Sequence, residues 1–464
     1  MLNDVKAVSE LEKKPDKIKQ TISTITLVKY CELPESTKIT LLNKKIILTV
    51  TVKCIISQKH LFSNNFLILF QKNMNIFKLP SLIFSLIMLY LFQRRTKGSA
   101  TMSLNVVHGG DLDEISRIYG IKKEEIYNFG GNVNPLGLPE SVKKVIADNA
   151  DAPTVYPDVS YVNLRSAIGD YTGINPKHIM VGNGSTELIS MCIKTVNPKK
   201  AVIVSPAYSE YLKEIKLIGG SAELFPLKES DEYMLNIPEL KNVLSSDIDM
   251  LVICNPNNPT GTYVTCDETR EILKHCKTNN IMVMMDETYV EFSNISKNVS
   301  AMPLIEEFDN LFIIRGTSKF FACPGLRLGY GACSNSKIIE YINTHKDPWS
   351  VNIFAELSGT VMFRDREFIN RTRSLINNER DKIFKELFDL DCVHVYDTQS
   401  NFFLLRLKRE DITSTDVFNK LIQKKILIRD CADFPYLDNH YIRFCILDEK
   451  SNSLLLKELK NILK

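Results

Sequence analysis

The sequence predicts an α/β protein, with a large domain built on a mainly parallel mixed sheet and a smaller α+β domain after it. Three observations predict this. The runs 250–254 and 311–314 are apolar at every position, as strands buried on both faces are. Helical-period stretches separate such runs, the alternation that builds a parallel sheet with crossover helices. Beyond about Lys346 the pattern changes to one long charged helix and several short strands.

In order along the chain, 201–205 reads as a strand and 208–218 as a helix. Residues 250–254 form the next strand, 267–277 a helix, and 281–285 and 311–314 two further apolar strands. A long helix is expected over 364–388, then strands near His394 and over 402–407, 426–428 and 441–446. The expected organisation is an extension over 1–101 outside the main fold. Residues 102–150 then supply the N-terminal part of the small domain, 151–345 the large domain and 346–464 the small C-terminal domain.

Composition narrows the function. The chain has 464 residues, enough for two or three domains with real cores. Its 58 basic and 55 acidic side chains nearly cancel, so charge points to neither nucleic acid nor a membrane surface. Eleven scattered cysteines without a C-x-x-C pair fit a reducing, cytoplasmic setting. Seven histidines without metal-ligand spacing argue against a metal site.

The extension carries an uncharged apolar stretch at 79–92, followed by Arg94, Arg95 and Lys97. Its 14 residues fall short of the roughly 20 that a membrane helix needs. Membrane contact is expected only if this stretch is an anchor, which would leave the rest of the chain in the cytoplasm. The other readings are an extra soluble segment and a true start at Met102.

The chemistry is concentrated after that point. Gly182-Asn183-Gly184-Ser185-Thr186-Glu187 leads into an apolar helix over 188–196, and a helix start favours a phosphate through its free N–H groups. Tyr208 follows, then Asn255-Pro256-Asn257-Asn258-Pro259-Thr260-Gly261, Asp286-Glu287-Thr288-Tyr289, Ser318-Lys319 and Arg327. Taken singly, these are a capped helix, a core tyrosine, a turn, a strand-end acid and a surface lysine. Their order, each beyond a strand where α/β sheets bind ligands, is not easily coincidental.

In that order they resemble the fold-type I pyridoxal-phosphate enzymes of the aminotransferase class I/II group, over essentially all of 102–464. The resemblance implies the PLP-dependent transferase fold and pyridoxal 5′-phosphate as cofactor. It implies that Lys319 binds the cofactor covalently and later shuttles the proton, while Asp286 pairs with the pyridinium nitrogen. Asn258 and Tyr289 would hydrogen-bond the ring oxygen, and Tyr208 would stack on the ring. Ser185, Thr186, Ser318 and Arg327 would hold the phosphate. Tyr156, in Tyr156-Pro157-Asp158, looks like the tyrosine lent to a neighbouring subunit, so a homodimer with shared sites is implied.

Two subfamilies share these motifs, the threonine-phosphate decarboxylases of cobalamin synthesis and the histidinol-phosphate aminotransferases. His108-Gly109-Gly110, followed by Gly131-Asn132-Val133-Asn134-Pro135-Leu136-Gly137, is similar to the decarboxylase pattern and tilts the reading that way. Phe129-Gly130-Gly131-Asn132 departs from the more usual Phe-Ser-x-Asn. Arg429 and Arg443 match the family's substrate-facing arginines, and His108 and Asn134 would line the substrate side. Guanidinium forks suit phosphate and carboxylate alike, as a phosphorylated amino substrate requires. A non-catalytic binding protein on the same fold is disfavoured by the intact Lys319, Asp286 and Arg327.

Overall fold

A computed structural model describes residues 38–43, 46–51 and 111–464. The chain divides into two units, Met1–Met102 and Ser103–Lys464. In the first, strand β1 (Lys38–Asn43) pairs antiparallel with β2 (Ile46–Thr51). The apolar stretch 79–92, Met102 and His108 lie outside the described residues. Among the described residues no helix is long and apolar enough to cross a membrane.

The second unit opens with the helix Leu112–Tyr119 and the short strand β3 (Tyr127–Asn128). A seven-stranded sheet follows, from β4 (Ile179–Gly182), β5 (Lys200–Ser205), β6 (Ser221–Pro226), β7 (Met250–Cys254), β8 (Met282–Asp286), β9 (Leu311–Gly316) and β10 (Gly329–Ala332). Its order is β4-β10-β9-β8-β7-β5-β6, with β10 antiparallel to both neighbours and the other pairs parallel. Successive residues of β7 go to opposite cores. Leu251 and Ile253 join one apolar cluster, while Met250 and Val252 join the other. Both faces are therefore covered, which is why these strands read as unbroken apolar runs.

Connecting helices are bounded by ordinary capping chemistry. Thr265 and Glu268 form a reciprocal capping box at the start of Cys266–Thr278, and Gly173 in the left-handed region ends Val162–Thr172. The long helix is Arg366–Phe388, begun by the Asp365 side chain on the Phe368 N–H, two residues later than expected. Beyond it β11 (Val393–Val395), β12 (Phe402–Leu407), β14 (Arg429–Asp430) and β15 (Tyr441–Cys445) form an antiparallel sheet, ordered β11-β12-β15-β14.

The strand expected over 426–428 divides. Its first part, β13 (Ile426–Leu427), pairs in parallel with β3, and Arg429 then starts β14 beside β15. Ile115 packs with Ile422 and Leu427, so the first helix shares a core with the C-terminal segment. The helix expected over 208–218 is Glu210–Leu217, which leaves Tyr208 just ahead of it. The helix expected at 188 begins instead at Ser185, which puts Ser185 and Thr186 in its first turn.

Candidate active site

Register places the carboxyl ends of three central strands side by side, with Cys254 opposite Asp286 and Asp286 opposite Ile314. Asp286, the last residue of β8, is 4% exposed. Thr288 donates its N–H (2.9 Å) and its hydroxyl (2.5 Å) to Asp286 Oδ1, and the Tyr211 hydroxyl donates to Oδ2 at 2.6 Å. Burial pushes the Asp286 carboxyl above its ordinary value, and the bonds from Thr288 and Tyr211 oppose that rise.

Lys319 sits in the helical turn Thr317–Phe320, directly after β9. Its Nζ donates to the Gly131 carbonyl at 2.6 Å, and its own carbonyl accepts the Asn134 N–H at 3.0 Å. Burial, and secondarily the positive Arg443, lowers its ammonium to about 8. An amine tuned this far down is available as a nucleophile near neutrality. Tyr289, buried edge-on against Phe402, accepts a hydrogen bond from Asn132 Nδ2 at 3.2 Å. Burial raises its phenol well above the ordinary value.

Before the helix Ser185–Val196, Gly184 has φ +79°, and a Cβ built there would fall 2.3 Å from Arg327 Nη2. Only glycine admits both that backbone and the guanidinium lying over it. A Cβ on Gly329 would fall 2.5 Å from the Ser185 nitrogen, and one on Gly316 would fall 3.3 Å from Ser185 Oγ. Three glycines thus bring Arg327, the helix start and the Ser318 turn into one cradle, with N–H groups and a cation suited to a phosphate. Tyr208 feels the charges of both Asp286 and Arg327, and its ring stands edge-on to Tyr211 at 5.7 Å.

Arg429 and Arg443 face each other across β14 and β15. Asp433 grips Arg429 Nη2 with both oxygens, at 2.9 and 2.8 Å, and Arg429 Nη1 is buried without a partner. Arg443 donates through Nη1 to Asn258 Oδ1 and through Nη2 to the Gly130 carbonyl (3.0 Å), while its Nε has no partner.

Asn134, expected on the substrate side, has its side-chain amide engaged within the protein. Its Nδ2 donates to the Phe320 carbonyl (2.6 Å) and Thr372 Oγ1 (2.8 Å), and its Oδ1 accepts the Leu136 N–H (3.0 Å). A buried amide with every group paired braces the Lys319 turn. Tyr156 is 77% exposed, its ring 4.6 Å from that of Trp349.

The profile of the aminotransferase class I and II family matches residues 124–459. The chain belongs to the aminotransferase class I and II family. It is 34% identical over 359 residues to the threonine-phosphate decarboxylase of Salmonella typhimurium, covering 77% of this chain and 97% of that one. It is 28% identical over 361 residues to the histidinol-phosphate aminotransferase of Methanosphaera stadtmanae, covering 77% and 96%. Among solved structures it resembles the histidinol-phosphate aminotransferase of Clostridium acetobutylicum, with TM-score 0.67, 33% identity and coverage of 71% and 97%.

As a member of this family the chain is a pyridoxal-phosphate enzyme, and its residues fit that cofactor. The glycine-lined cradle under Arg327 suits the phosphate, and the strand-end Asp286 suits a protonated ring nitrogen. Reading the sequence alone did not show how these groups are held. Tyr211 and Thr288 fix Asp286, Asn132 holds Tyr289, and Gly184 makes room for Arg327. For Tyr211 a signal existed, since it follows Tyr208 by three residues at the start of a helix.

Proposed function

We propose that the protein decarboxylates L-threonine O-3-phosphate to (R)-1-aminopropan-2-yl phosphate and carbon dioxide, as cobalamin synthesis requires. The observation that carries this reading is the Arg429–Arg443 pair. The two guanidiniums face each other in register, each keeps an N–H without a protein partner, and one is near enough to Lys319 to lower its pKa. A substrate with a phosphate at one end and a carboxylate at the other uses both. Likeness to the Salmonella threonine-phosphate decarboxylase over 97% of its length supports the choice.

When bound, the cofactor supplies an electron sink for the carbanion at the substrate's Cα. Asp286 would hold the ring nitrogen in its charged form, with Thr288 and Tyr211 fixing the carboxylate. Asn258 and Tyr289 would orient the ring oxygen, and Tyr208 would cover the ring face. Ser185, Thr186, Ser318 and Arg327 would hold the phosphate. Lys319, neutral above about pH 8, would attach the cofactor and return a proton to Cα. Arg429 and Arg443 would set which Cα bond stands perpendicular to the ring, and so which bond breaks. His108 would line the substrate side.

A homodimer accompanies this reading. Tyr156 lies in an exposed apolar group with Val155, Val159 and Val162, a surface that a second subunit would cover. The nine free cysteines among the described residues, eight of them buried, support a cytoplasmic setting.

The second reading, histidinol-phosphate aminotransferase, is favoured by the 33% identical Clostridium structure. Parallel assays separate the two. Release of carbon dioxide from threonine phosphate without an oxo-acid is the expected result. Glutamate formed from histidinol phosphate and 2-oxoglutarate, with no carbon dioxide from threonine phosphate, would overturn it.

A further inference from the structure

A cavity of about 490 Å³ lies beside the start of the helix Arg366–Phe388, lined by none of the residues assigned to cofactor or substrate. Its charges do not balance. Arg315 is neutralised by Glu287, which accepts from Nε (2.9 Å) and Nη2 (2.6 Å), and Arg364 by Asp170 at 2.9 Å. Arg366 and Arg373 have no carboxylate within 4.0 Å among the described residues. Spaced by seven residues with Asn370 between, they share one helix face.

Arg373 Nε donates to the Glu291 carbonyl at 3.3 Å, and its guanidinium lies 6.0 Å from the Phe320 ring centre. The other wall carries Glu291, 4% exposed. Its Oε1 accepts from the Tyr171 and Tyr330 hydroxyls at 3.5 Å and lies 4.0 Å from Arg315 Nη1, while its Oε2 has no hydrogen-bond partner. Ser293, Asn294 and Ser300 add further polar groups. A buried carboxyl with one oxygen left unpartnered, opposite two guanidiniums that no carboxylate pairs, forms a built polar site, because a buried polar atom is costly when left unpaired. The volume is that of a metabolite site.

We propose that this cavity is a second ligand site, taking a small organic anion that bears a phosphate or carboxylate. The anion engages Arg366 and Arg373, and a hydroxyl or amine on the same molecule reaches Glu291. Arg373 rests against Phe320, which follows Lys319 in the chain, and the cavity lining holds no group assigned to the reaction.

The test uses the full-length holoenzyme carrying Arg429→Gln, which weakens anion binding at the substrate arginines. Inorganic phosphate and glutarate are titrated separately by calorimetry. At least one should bind at about one per chain, and adding Arg373→Gln should weaken it at least tenfold. Arg366→Gln should weaken it severalfold. Whichever probe binds more tightly identifies the head group. Should Arg373→Gln fail to retain the cofactor, the solvent-exposed Arg366→Gln decides alone. No binding of either anion in the Arg429→Gln protein, or binding unmoved by the Arg366 and Arg373 substitutions, would overturn the proposal.

Discussion

Tyr211 donates its phenolic hydrogen to Asp286 Oδ2 at 2.6 Å, and both residues are buried. Thr288 occupies the other oxygen, so the carboxylate is held from two sides before any ring nitrogen meets it. Losing one hydrogen bond to a buried charged group costs about 1.5–3 kcal/mol. Tyr211→Phe should therefore raise the Asp286 pKa further and weaken cofactor binding roughly tenfold or more. Titration of the apoprotein with pyridoxal phosphate, followed by absorbance, checks this, with circular dichroism reporting an unchanged fold.

Lys319 sets a pH dependence. Its folded pKa, about 8, lies below that of a free lysine, so the reactive neutral amine accumulates as pH rises through about 8. Cofactor capture by the apoprotein should quicken with a midpoint near that pH. Stopped-flow absorbance between pH 6.5 and about 10 would show it, and a midpoint near that of an ordinary lysine would refute the assignment.

Gly184 is held by geometry on two counts, its φ of +79° and the Arg327 guanidinium where a Cβ would stand. Gly184→Ala should cost about 1–3 kcal/mol of stability and displace Arg327 from the cradle. Thermal unfolding and cofactor affinity should fall together.

Arg429→Gln removes a cation from the proposed substrate pocket while Asp433 remains. kcat/KM for threonine phosphate should drop about 10- to 100-fold, as expected for a charge-assisted contact. Cofactor affinity, measured by absorbance, should stay near that of the wild type.

The Glu287–Arg315 pair is a buried ion pair, with side chains 0% and 7% exposed. Glu287→Gln would remove the charge whose Oε2 accepts from both Nε and Nη2 of Arg315, and should destabilise the fold by roughly 3–5 kcal/mol. Urea unfolding measures this directly.

Much of the site was legible along the chain. Gly184, Asn258, Asp286 and Lys319 stand beyond apolar strands, and parallel sheets place such positions together at their carboxyl ends. Asn134 shows where that reasoning stops. Its motif suggests a substrate contact, yet its amide is bound by Phe320 and Thr372, the latter 238 residues away.

By itself the sequence determined the class of fold and the kinds of groups at the reaction centre. Apolar periodicity and the residue types beyond each strand are local properties. Only the tertiary structure decided which group fixes which. The Tyr211–Asp286 bond, the Arg327 guanidinium over Gly184, and Arg429 opposite Arg443 join residues far apart in the chain. Strand register and close backbone approach make those pairings, and no local pattern encodes either.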